Sequence, residues 1–243
     1  MPSFFSSTLP STEVLMDRLR CANRFERSEQ VLLVTLLSVP AIIAQLASVL
    51  MHYIDMAMLG HLGSQEAAGV GLVSTTIWMF WGIGSAGITG FHVLAGQAIG
   101  ARDDKTVQSL MRQSLTVTFL WGTALAAVGL AIASDLPTWL GARDPVAGFA
   151  SEYFFIVIAS WPLVMVNFLE TGMLRVSGNM KIPSLLGVAM CVLDVVFNAL
   201  FIFPSRTVSV LGMDLAVPGL NLGVRGAAWA TVLATALVML ASC

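Results

Sequence analysis

Residues 182–203 read IPSLLGVAMCVLDVVFNALFIF, and Asp194 is the only acidic or basic side chain in that run. As a helix rising about 1.5 Å per residue, such a stretch spans a hydrocarbon core of about 30 Å. Its neighbours repeat the pattern. Residues 31–54, 67–101 and 113–134 hold no Asp, Glu, Lys or Arg, residues 146–169 hold only Glu152, and residues 226–243 hold none. The whole chain is 57% hydrophobic and 11% charged, with a mean hydropathy of +0.85; an average soluble domain is about 25% charged. These runs leave too little polar surface for a water-soluble fold. The expected fold is therefore all-α: a polytopic membrane protein built as a bundle of six transmembrane helices, at about 31–58, 67–95, 113–134, 146–170, 182–203 and 224–243.

Basic residues orient the bundle. Arg18, Arg20, Arg24, Arg27, Arg102, Lys105, Arg112, Arg175 and Lys181 fall on one side, and Arg143, Arg206 and Arg225 on the other. The positive-inside rule then puts the amino terminus in the cytoplasm. Residues 1–30 mix Arg with Glu13, Asp17, Glu26 and Glu29 and have no apolar core. They read as a cytoplasmic segment at the interface, and not as a signal peptide. Cys21, Cys191 and Cys243 are scattered and odd in number, so neither a disulfide nor a metal motif is expected. Nucleic acid is not an expected partner, because no basic patch is interleaved with aromatics.

Short connections make sequential helices antiparallel neighbours. Pro40 and Pro162 lie inside spans, where each can bend its helix. Gly82, Gly84 and Gly87 spell GIGSAG, a formal dinucleotide-binding pattern. It lies in an uncharged membrane run with no strand before it, so these glycines, with Gly96 and Gly100, are read as helix-packing positions.

An ionisable side chain in lipid costs about 2.5–3.5 kcal/mol on insertion scales, so it calls for a reason. Asp55 and Asp194 are the two that matter, and Asn198 follows Asp194 by one turn on the same face. Desolvation favours the neutral form of any carboxyl, which suits a proton carrier. From the directions of the spans, Asp55, Asn198 and Thr231 all fall about 7–14 Å from the outer boundary, so they can share a cavity. His52, three residues before Asp55, would pair with it if both project to one side. Structural alternatives stand beside each of these: Asp55 reaching water at a helix end, Asp194 in an interhelical bond, and Asn198 and Thr231 as helix glue. Glu152 and Glu170 read as interfacial, and His92 as a packing contact.

Five segments, taken in order, resemble the MATE (multidrug and toxic compound extrusion) family. They are PAIIAQLASVLMHYIDMAMLGHLG at 40–63, GQAIGA at 96–101, LRVSGNMKIP at 174–183, DVVFNALFIF at 194–203 and GVRGAAWAT at 223–231. The resemblance, DinF-like and NorM-like, extends over about residues 30–243. It implies a secondary active transporter of the bacterial cytoplasmic (inner) membrane that exports amphipathic, often cationic drugs or metabolites in exchange for H+ or Na+ by alternating access. Under it, Asp55, Asp194 and Asn198 become the cation-coupling residues, with Na+ at Asp55 and Asp194 as the metal alternative to a proton. Thr231, Asn167 and His52 become cavity residues, and no cofactor beyond the coupling ion is expected. DinF-like members usually carry Asn and then Asp on the fifth helix, whereas this chain carries Asp194 and then Asn198.

Family members have twelve helices, so the chain corresponds to the amino-terminal lobe. A truncated product ranks ahead of a deliberately shortened chain or a half-transporter. Its expected partners are membrane lipid, a small-molecule substrate, and the missing carboxyl-terminal lobe or a second half-transporter. The runner-up function is a lobe of a related lipid or glycolipid flippase, which would need basic residues in its interior; the spans carry none there. An intramembrane enzyme would need a nucleophile with its base or a metal cluster, and the sequence offers neither.

Overall fold

The chain was described from a computed structural model covering residues 27–210 and 213–242. Residues 1–26 of the expected interfacial segment, and Cys243, lie outside the described residues. Helix α1 runs over Arg27–Leu62, α2 over Ser64–Gly100 and α3 over Asp104–Ile132; a single turn, α4, covers Leu136–Trp139. Then come α5 at Val146–Ala159, α6 at Trp161–Val176 and α7 at Lys181–Phe201. Strands β1 (Pro204–Val210) and β2 (Met213–Leu220) follow, and α8 (Gly223–Ser242) closes the described chain.

Helices α2, α3, α7 and α8 are each long and apolar enough to cross a membrane. The expected fourth span is α5 and α6 together, bent by 50°. Pro162 explains the break: it lies in the first turn of α6 and cannot donate to the carbonyl one turn earlier. Helix α1 continues through Pro40 for 36 residues. It carries the uncharged run 31–54. Asp55 therefore sits two turns inside its helix and not at its end.

One large apolar cluster joins α2, α5 and α6 through Val73, Phe80, Ile88, Phe154, Ile158 and Met165, all at most 4% exposed, and reaches α3 through Leu125 and Ala126. Small residues set the spacing. A Cβ at Gly122 would lie 2.8 Å from Pro162 Cα, so only glycine lets α3 approach the start of α6. Gly84 lies against Met165, Gly87 against Trp121 and Gly96 against Val176. Gly82 and Gly100 face open space, which corrects the packing role expected of them. A buried alanine stripe, Ala227, Ala230 and Ala234, lets α8 settle among its neighbours, of which α7 is the most extensive.

Two expectations about connections need correction. Helix α1 packs chiefly against α7, and only weakly against its sequence neighbour α2. Loop length fixes direction, but the polar face of α1 fixes its partner. The connection from α7 to α8 is an antiparallel hairpin, paired Arg206 with Val217 and Val210 with Met213, with a register shift between Pro204 and Arg206. Amide donation from Asn221 to Phe203 O (3.1 Å) and from Leu222 to Phe201 O (2.8 Å) ties the hairpin exit to the end of α7. At the opposite end, Asp103 caps α3 by accepting from the Thr106 amide at 3.1 Å and its hydroxyl at 2.6 Å.

Candidate functional site: two carboxyls on one amide

Helices α1 and α7 meet through polar atoms within an otherwise apolar contact. The Asn198 side-chain amide donates to Asp55 Oδ1 at 2.7 Å and to Asp194 Oδ2 at 2.9 Å. Asp194 is 0% exposed and Asn198 1% exposed. Asp55 is half-buried. The shared amide makes the carboxyls of Asp55 and Asp194 neighbours. A separation of four residues puts Asp194 and Asn198 on one face of α7, so the Asp-then-Asn order still presents both groups to Asp55.

Helix α8 supplies the third wall. The Thr231 hydroxyl donates to Ala227 O at 3.3 Å and lies beside Asp194. Thr235, one turn on, donates to Thr231 O at 2.8 Å. Tyr153 of α5 stands close enough to feel the charge of both carboxyls. Sequence reasoning missed Tyr153 because an aromatic within the expected fourth span gives no sign of what it faces.

Acceptor capacity exceeds the donors present. Asp194 Oδ1 and Asn198 Oδ1 are buried and have no hydrogen-bond partner among the described residues. Two carboxylates side by side in a medium of low dielectric repel, so a single positive charge is what the cluster lacks. A shared proton or a small cation on the free oxygens would supply it. Among the described residues no group of three or more His, Cys, Asp or Glu side chains forms a metal site, so a cation here would rest on oxygens of mixed type.

The remaining expected residues fall elsewhere. His52 makes an edge contact with Trp78, ring centroids 6.1 Å apart, and does not hydrogen-bond Asp55. Positions 52 and 55 lie about 60° apart on α1, and the ring of His52 is turned onto Trp78 of α2. Asn167 of α6 has a buried Nδ2 without a partner. His92 bonds Leu169 O at 3.2 Å, in keeping with a packing contact. Glu152 is held by Arg225 through two donors, Nε at 3.0 Å and a terminal amine at 2.6 Å. Glu170 accepts from Ser242 at 2.7 Å.

A family model described as MatE matches residues 40–200. A probable multidrug resistance protein, YoeA of Bacillus subtilis, is 31% identical over 164 residues, which is 68% of this chain and 31% of that protein. A probable multidrug resistance protein, NorM of Thermotoga maritima, is 26% identical over 200 residues, covering 81% of this chain and 40% of that protein. Among solved structures, a MOP superfamily transporter from Pyrococcus furiosus superposes with a TM-score of 0.76 at 23% identity, over 98% of this chain and 47% of that one. An outward-facing multidrug resistance MATE family transporter superposes with a TM-score of 0.74 at 24% identity, over 86% and 43%. At these identities the likeness to solved structures shows the fold alone. The chain spans less than half the length of the relatives it matches.

Proposed function

The chain belongs to the MATE family, and from that premise we propose that it is one six-helix lobe of a cation-coupled exporter of amphipathic drugs or metabolites. The observation that carries the proposal is one buried amide shared by two carboxyls on different helices. A charge arriving there changes the force between α1 and α7. With the site neutralised, the helices can close on it. With the site empty of a cation, repulsion between Asp55 and Asp194 opposes that closure. Such a difference biases a two-state equilibrium, which alternating access requires.

Both H+ and Na+ fit the donor set. A proton would be shared between the carboxyls, and Na+ would use Asp194 Oδ1, Asn198 Oδ1 and the neighbouring carboxylate oxygen. The hairpin end is assigned to the outer face and the α2–α3 turn to the cytoplasm, following the distribution of basic residues. Substrate would lie against a surface completed by the second lobe, near Thr231 and Asn167. A flippase lobe for anionic headgroups finds no support in the uncharged runs 31–54, 67–101, 113–134 and 226–243, which carry no Lys or Arg.

The test uses the chain in lipid nanodiscs. Thermal unfolding is followed while Na+ is titrated at fixed pH and while pH is varied without Na+. A ligand bound only by the folded state raises the midpoint with concentration. One of the two cations should do so for the native chain and for Asp103→Asn, and for neither Asp55→Asn nor Asp194→Asn. Cation stabilisation that persists undiminished in both variants would refute the assignment. In the complete transporter, the same two variants should insert into the membrane and lose ion-coupled efflux.

A further inference from the structure

Five helix ends converge at the hairpin end: the ends of α1 and α7 and the starts of α2, α5 and α8. Between them lies a cavity of about 370 Å³ whose walls include Leu62, Glu66, Phe149, Glu152, Asn221 and Arg225. Its rim is polar and its floor is not. Leu62, Phe149 and Val224 line the cavity and also pack into an apolar cluster with Leu59 and Ile202, which are 1% and 0% exposed.

That cluster is also the roof of the carboxyl site. Leu59 lies one turn beyond Asp55, Ile202 one turn beyond Asn198, and Phe149 one turn before Tyr153. Ala227, in the same cluster, accepts the Thr231 hydroxyl. On α1 and α8 the cavity-lining Leu62 and Val224 stand seven residues from Asp55 and Thr231, so about two helical turns, roughly 10 Å, separate the polar cavity from the acids. Beside Asp55, the α1 residues Tyr53, Ile54 and Met56 are exposed and mostly apolar and exposed His52 is turned onto Trp78, so the hairpin end is the approach that acidic side chains line.

The Glu152–Arg225 pair bridges α5 and α8 at the wall of this cavity with two parallel hydrogen bonds. Its partners are 40% and 60% exposed, so it adds little to overall stability. Its geometry is another matter, because a bidentate guanidinium fixes the angle between the two helices that carry Phe149 and Val224.

We propose that this is a gated route for the coupling cation: Glu66 and Glu152 collect it in the cavity, an apolar plug of Leu59, Phe149, Val224 and Ile202 bars the way, and the Arg225 clamp holds the plug shut. The proposal rests on the reading of Asp55 and Asp194 as the ion site, and its test does not depend on ion binding. Cys21, Cys191 and Cys243 are replaced by Ser and Leu59 by Cys in the full chain, sealed in vesicles. Membrane-impermeant methanethiosulfonates, one cationic and one anionic, are then added to one face at a time.

Position 59 should label slowly with the plug intact. Phe149→Ala, which empties part of the plug, should speed labelling from the hairpin face by about 10-fold or more, and Val224→Ala should act in the same direction. Arg225→Gln, which frees Glu152, should raise the ratio of cationic to anionic labelling about threefold or more. Circular dichroism and a melting curve establish that each variant is folded, and either plug variant alone suffices for the comparison. Labelling that stays slow in a folded plug variant, or that comes only from the opposite face, overturns the route. Fast labelling combined with cation stabilisation that ignores Asp55 would instead keep the route and sink the ion site.

Discussion

Asn198 holds its position at a cost that only its two partners offset. Its amide would be expensive to bury alone, as would each carboxyl, yet together they satisfy three of one another's atoms across α1 and α7. Replacing it by Leu keeps the volume and removes both donors. Asn198→Leu should therefore destabilise the chain by about 2–4 kcal/mol, as expected for stranding buried charged acceptors. Denaturant unfolding in micelles measures this, and Asn198→Gln should recover part of the loss if a longer side chain still reaches one carboxyl. The acids at this site were legible in the sequence, because charge in lipid demands a partner. Helical rise and span direction also put Asp55, Asn198 and Thr231 at a similar level of the bundle, where a hydrogen bond joins the first two. What distance along the chain could not supply was the identity of the contact: Asp55 and Asn198 are 143 residues apart, and only packing of α1 on α7 joins them. Tyr153 escaped notice because an aromatic within an apolar run carries no signal of what it faces.

Asp103 offers a second residue-scale test outside the membrane spans. The hydroxyl and then the amide of Thr106 hold its carboxyl below the ordinary carboxylate range. A carboxyl whose acidity is strengthened by folding stabilises the fold above its unfolded value of about 3.9, and that contribution is lost as pH falls through the lower, folded value. The Thr106 amide resonance should thus titrate with a midpoint below the unfolded carboxylate value of about 3.9, and Asp103→Ala should abolish the titration.

At the scale of elements, the uncharged runs predicted the helices and the proline predicted the break. Pro162 replaces an amide that would continue the ladder from α5 into α6. Restoring it with Pro162→Ala lets the bend relax. Two arms of 14 and 16 residues, straightened from 50°, lengthen end to end by roughly 4 Å at 1.5 Å per residue. Spin labels at positions 147 and 175 should report that change by dipolar spectroscopy. Gly122 opposes the same helix start, so Gly122→Ala should cost about 1–3 kcal/mol through overpacking against Pro162 Cα. The hairpin was the element that reading by hydropathy passed over. Residues 204–220, PSRTVSVLGMDLAVPGL, mix apolar with polar residues and fall below a scale tuned to twenty-residue apolar runs, and a strand pair of 7 and 8 residues gives a weaker, period-two signal.

For the whole molecule, charge asymmetry and architecture make one joint statement about which way the bundle faces. The α2–α3 and α6–α7 turns carry Arg102, Lys105, Arg175 and Lys181 at one end, and the hairpin, the α1–α2 turn and the α3–α5 connection gather at the other with few basic residues. Because cytoplasmic loops retain Lys and Arg, the hairpin end should face outward. In a cysteine-free background, a Cys at exposed Ser205 should react in intact cells with an impermeant maleimide, whereas a Cys at exposed Lys105 should react only after permeabilisation. The reverse pattern would invert the bundle and put the carboxyl pair nearer the cytoplasm, with its polar cavity opening inward. Moving the asymmetry supplies the stricter test. Three Lys added to the α1–α2 turn and removal of Arg102, Lys105 and Arg112 should produce mixed labelling at both sites, because orientation then rests on charges that no longer differ between the two faces.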